Sequence, residues 1–135
     1  MITAVDSSVL WSLIKQEAGW PDWASTLQQV AAEGPLVVCP VVFAELSPST
    51  TDPGSLMGFL NRLQIGYDHL SPGAAFLAGE TFRRYRAAGG QRQYLVPDFL
   101  IAAHAMSQAD RLAAVDRGYL RVWFPQLNLL QPPAR

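Results

Sequence analysis

The chain has 135 residues, half of them hydrophobic and 16% charged, with a formal net charge of −1. That length fits one compact domain, and the apolar content excludes a disordered segment and supports a well-filled core. The near-zero charge excludes a strong whole-molecule attraction to nucleic acid, so any such binding must come from local patches.

In chain order, Ile2 to Val5 is an apolar run of strand length that ends at Asp6. Asp6 also interrupts the apolar stretch Met1 to Ile14, and no basic stretch precedes it, so a signal peptide is not expected. Ser8 to Gln16 and Pro21 to Glu33 carry apolar residues at three- and four-residue spacing and read as helices. Their aromatics Trp11, Trp20 and Trp23 are expected in the core, with a groove for a partner helix as the other reading. Gly34-Pro35 punctuates the chain before the strand Leu36 to Cys39. Cys39 is the only cysteine, which excludes an intramolecular disulfide and suits a buried thiol in a reducing, cytoplasmic compartment.

Helices are then expected over Val41 to Leu46 and Ser55 to Arg62, a strand over Leu63 to Tyr67, and helices over Pro72 to Ala88 and Pro97 to Ala109. The strands Leu112 to Val115 and Leu127 to Leu130 complete the set. Nowhere do 18 apolar residues run together, so no membrane span is expected, and there is no internal repeat. Strands alternating with helices imply an α/β fold of three layers around a mostly parallel sheet.

In such a sheet ligands bind outside the carboxyl ends of the strands. Asp6 ends the first strand and Asp116 follows Leu112 to Val115, Glu45 lies in the short helix after Leu36 to Cys39, and Asp98 opens the late helix. All four could converge. Each has a plainer reading: Asp98 as a helix cap, Asp6 and Asp116 as turn residues, and Glu45 as an outward-facing acid. Together, four carboxylates at close range repel one another unless a cation neutralises them, and oxygen ligands without companion His or Cys favour Mg²⁺ or Mn²⁺ over zinc. One or two such ions suit phosphodiester hydrolysis.

Four stretches in order carry a resemblance: Ala4-Val5-Asp6-Ser7-Ser8-Val9-Leu10, Pro40-Val41-Val42-Phe43-Ala44-Glu45-Leu46, Pro97-Asp98-Phe99-Leu100-Ile101-Ala102-Ala103-His104-Ala105, and Val115-Asp116-Arg117-Gly118-Tyr119. The sequence resembles a single PIN domain spanning residues 1–135, and most of all the VapC toxins of VapBC toxin–antitoxin pairs. The resemblance implies a metal-dependent endoribonuclease acting on tRNA or ribosomal RNA, neutralised by a VapB-type antitoxin, and forming a homodimer. It also implies that Asp6, Glu45, Asp98 and Asp116 are the acidic catalytic and metal-binding set, and that Ser8 helps to order the site. Ser8 is equally well placed to cap a helix. Many relatives carry Thr or Ser where this chain has Ala114, so a hydroxyl that would tune the metal site is missing there.

Seven of the nine arginines fall between Arg83 and Arg121, among them Arg84, Arg92 and Arg117. Arg84 and its neighbours near a helix C-terminus could grip phosphates or simply be solvated; Arg117 could meet the scissile phosphate or pair with a carboxylate. His104, about 120° around the helix from Asp98, is expected to be structural, and His69 a surface residue. The alternative function is a catalytically silent PIN-like module that binds RNA or protein. A phosphoacceptor receiver or a haloacid-dehalogenase-like hydrolase would need an acidic pair at the first strand, where Asp6 is followed by Ser7 and Ser8.

Overall fold

A computed structural model of the protein describes residues 1–90, 96–115 and 118–134. Five strands, β1 (Thr3–Val5), β2 (Leu36–Val38), β3 (Ile65–Tyr67), β4 (Arg111–Ala113) and β5 (Leu129–Leu130), form one sheet in the order β3-β2-β1-β4-β5. Every pairing is parallel: Thr3 sits beside both Leu36 and Arg111, and Leu36 beside Ile65. Among the described residues the α-helices are α1 (Ser7–Lys15), α2 (Trp20–Ala31), α3 (Pro40–Leu46), α4 (Pro53–Arg62), α5 (Pro72–Ala87), α6 (Val96–Gln108) and α7 (Tyr119–Trp123).

The helix starts follow local chemistry. Asp6, Asp52 and Ser71 cap α1, α4 and α5 with side-chain acceptors, and prolines whose φ suits a helical first turn open α2, α3, α4 and α5. Gly34 admits no other residue, because a Cβ there would lie 2.2 Å from the Met1 carbonyl oxygen. That close approach lets Thr3 donate to the Pro35 carbonyl at 3.0 Å and start the sheet.

From β1 the chain steps to β2 and then β3, after which it jumps back across β1 to β4 and on to β5. Right-handed crossovers in opposite directions lay helices on opposite faces, giving three layers. The core is continuous through the sheet: Val5, Val38, Ile65, Leu112 and Ala113 are buried in the strands, and Leu10, Leu46, Leu60, Phe99, Ala102 and Ala103 in the helices. The ring of Phe99 makes edge contacts with Phe82, Tyr85 and Phe124 at centroid distances of 6.0, 5.5 and 5.4 Å, which ties α6 to α5 and to the chain after α7.

The expected elements are all present, with ends shifted by one or two residues. The strands are shorter than the apolar runs: Leu63 turns out to end α4, and Leu127 packs on the core outside β5. Helix α7 and a 3₁₀ turn at Ser47–Ser49 are additions. Trp23 is buried as expected, whereas Trp11 and Trp20 are only partly so. No helix among the described residues is long and apolar enough to cross a membrane.

Candidate active site

The order in which strands are added to the sheet reverses between β1 and β4, and at their carboxyl ends the diverging loops leave a crevice, the place where open parallel sheets bind ligands. There an open cleft of about 540 Å³ is lined by Asp6, Ser7, Ser8, Trp11, Lys15, Glu17, Glu45, Asp98 and Val115. Three of the four expected acids thus line one cavity, from three separate elements.

Asp6 is fixed from both sides. Its amide donates to the Ala113 carbonyl at 2.9 Å, extending the β1–β4 ladder, and its Oδ2 accepts from the Ser8 amide at 3.2 Å and from the Ser8 hydroxyl. Asp6, not Ser8, is therefore the cap of α1, and Ser8 acts on the site by holding that carboxylate. The Ser8 oxygen in turn accepts from the Val115 amide at 3.3 Å, linking the ends of β1 and β4. Glu45 reaches the cleft from α3 and accepts from the Ser7 hydroxyl at 2.8 Å. Ser7 escaped the sequence reading; its one signal is its place beside Asp6 at the start of a helix.

Asp98 is the third residue of α6, inside its first turn rather than at its cap, where the helix dipole favours a negative charge. The adjoining Phe99 is fully buried, which sets the rotation of the helix and leaves Asp98 on the cleft. Farther along α6, His104 is buried, with its Nε2 2.8 Å from Asp68 Oδ2, an oxygen that also accepts from the Gln108 side-chain Nε2 at 3.1 Å. His104 is structural, and the His69 side chain is 80% exposed beside Asp68.

Asp116, Arg117 and Arg92 lie outside the described residues. Val115, which precedes Asp116, lines the cleft, and Ala114 is fully buried behind it. Arg84 is placed elsewhere: it lines a smaller pocket with Leu77, Thr81, Met106 and Trp123, and donates to the Thr81 hydroxyl at 3.3 Å. Cys39, at the carboxyl end of β2, is buried, and burial pushes its thiol pKa up, with the nearby Asp6 charge adding a smaller push in the same direction.

The donor chemistry fits a hard cation. The cleft offers carboxylate and hydroxyl oxygens and neither imidazole nor thiolate among its lining residues. Among the described residues no three His, Cys, Asp or Glu side chains draw together into a ready-made cage. Mg²⁺ commonly keeps several of its waters and takes only one or two carboxylates directly.

The sequence matches no protein-family model and no curated protein. Solved structures do match. VapBC2 from Rickettsia felis, bound to a DNA fragment from its promoter, aligns at 19% identity over 98% of this chain and 100% of that chain, with a TM-score of 0.75. VapBC-1 from nontypeable Haemophilus influenzae aligns at 15% identity over 97% and 98%, with a TM-score of 0.71. The sarcin–ricin loop cleaving toxin VapC20 from Mycobacterium tuberculosis aligns at 17% identity over 97% and 99%, with a TM-score of 0.61. With near-complete coverage on both sides, this chain has the three-layer α/β/α PIN-like fold of those proteins.

Proposed function

We propose that this chain is a metal-dependent endoribonuclease of the VapC kind, the toxin member of a toxin–antitoxin pair. One observation carries the reading: Asp6, Glu45 and Asp98 come from three separate elements to line one open cleft at the sheet's switch point. The likeness to a toxin that cleaves the sarcin–ricin loop supports RNA as the substrate, and the likeness to VapBC complexes supports a VapB-type partner. Asp116, one residue beyond Val115, is proposed as the fourth carboxylate and Arg117 as a phosphate contact. A homodimer and a cytoplasmic setting belong to the same proposal.

Asp6 and Asp98 would hold one or two Mg²⁺ or Mn²⁺ ions, with Glu45 beside them. Such an ion, when bound, acidifies a water, orients the phosphate and stabilises the leaving oxygen. The chain's own part is preorganisation. The two hydroxyl contacts, Ser8 to Asp6 and Ser7 to Glu45, hold the carboxylates in their rotamers before substrate arrives, so little reordering opposes the reaction.

Mn²⁺ at a hundredfold excess over its dissociation constant should stabilise the fold by about 2.7 kcal/mol. Asp6→Asn should abolish both that thermal shift and RNA cleavage while leaving the circular dichroism of the apo protein unchanged. A variant as active and as metal-stabilised as the parent would sink the assignment. Metal stabilisation without cleavage of any RNA would favour the silent binding module, the reading to which the missing hydroxyl at Ala114 leans.

A further inference from the structure

Asp6 at the start of α1, Glu45 and Asp98 line the cleft from three elements, and the last two turns of α1 add Trp11 and Lys15, with a further acid, Glu17, just beyond the helix. At 100° per residue Ser8, Trp11 and Lys15 fall within about 60° of one another, on one face of the helix. At 1.5 Å per residue that face runs about 10 Å from Ser8, which holds Asp6, to Lys15. The helix thus carries the lining of the cleft from the Asp6 carboxylate to Lys15.

The two side chains are unusual for their surroundings. Lys15 is the only lysine of the chain, and among the described residues lining the cleft it is the only cation, sharing it with the four acids Asp6, Glu17, Glu45 and Asp98. Trp11 packs against the core yet stays partly exposed in a mostly polar cavity. The Lys15 Nζ rests 5.0 Å from the centroid of its ring, within the reach of a cation–π contact. An ammonium on a flexible stem can leave the indole for a phosphate, and in leaving it uncovers an aromatic face of a size suited to a base.

We propose that Trp11 and Lys15 form the subsite for the nucleotide flanking the scissile phosphate, the indole stacking an unpaired base and the ammonium pairing with that nucleotide's phosphate. This rests on the nuclease reading above. Single-stranded RNA fits better than a duplex, because stacking on a side chain requires a base already splayed out. A polyanion also needs a positive contact in so acidic a cleft, and Lys15, about 10 Å along α1 from Ser8, supplies one.

The test is the affinity of a labelled, mixed-sequence single-stranded RNA, followed by anisotropy across a salt series in Mn²⁺, with Asp98→Asn as the background to prevent cleavage. Trp11→Leu keeps an apolar group against the core and removes the stacking face. It should weaken binding about tenfold while leaving the salt dependence unchanged. Lys15→Gln should lower the slope of log affinity against log salt by about 0.7, and Lys15→Arg should restore it. Parallel melting curves confirm folding of each variant.

Affinity and slope unchanged in both variants, or no RNA binding by the background protein, would overturn the proposal and leave the indole to a protein partner. Cleavage by the Asp98-intact chain, measured alongside, separates the two readings. Cleavage with no effect of Trp11→Leu or Lys15→Gln would spare the nuclease and remove the subsite. Intact subsite effects without cleavage would spare the subsite and remove the nuclease.

Discussion

Ser7 and Ser8 are adjacent, yet their hydroxyls serve different carboxylates. Ser8 holds Asp6 within its own turn and accepts from Val115, while Ser7 reaches Glu45, 38 positions along the chain. The first contact is legible in a sequence because it is local, and the second is not, because it depends on α3 crossing α1. For the same reason the acids stood out as residue types at strand ends, whereas Trp11 read as core and Lys15 drew no attention until the cleft placed them together. Removing a group that orients a metal-binding carboxylate typically costs about 10–100-fold in metal affinity. Ser7→Ala should weaken Mn²⁺ binding by that range in a calorimetric titration, with the melting temperature of the apo protein shifted only slightly. Unaltered binding would show that Glu45 needs no such support.

At the scale of elements, α6 carries both a cleft carboxylate and the anchor that positions the helix. Asp98 lies in its first turn, and two turns later His104 and Gln108 bind Asp68, which follows β3 and itself donates its amide to the Val38 carbonyl at 2.8 Å. The 120° between positions 98 and 104 turns one side chain to the cleft and the other into the protein, as the helical geometry required. Asp68→Ala leaves the buried imidazole without its acceptor and should destabilise the fold by about 1–3 kcal/mol, read as a lower urea midpoint with an unchanged m-value. A midpoint equal to the parent's would mean that the packing of α6 on α5, α3 and the sheet holds it without this anchor. Helix α7 escaped the sequence reading because five residues show too little periodicity. Strand ends were overextended because an apolar run does not distinguish residues paired in the ladder from those packed just outside it.

For the molecule as a whole, the alternation of strands and helices announced a parallel sheet, but the strand order was not legible. It is fixed by which apolar faces meet across long crossovers, and no local signal reports that. The order matters because it puts the ends of β1 and β4 side by side at the switch point, and so turns separate acids into a site. Cys39 reports on the integrity of the same edge. Burial raises its thiol pKa, so the neutral form favours folding; this contribution is full below the unfolded thiol's pKa and is lost as pH climbs from there through the raised folded value. Iodoacetamide should therefore label native protein far more slowly than urea-unfolded protein at the same pH. Equal rates would mean that the core at the end of β2 is open.

The most direct measurement is cleavage of total cellular RNA by the purified protein, run with Mn²⁺, with EDTA, and with Asp98→Asn prepared in the same way. Discrete products that require both the metal and Asp98 are the predicted result; products that persist in EDTA or with Asp98→Asn would contradict it.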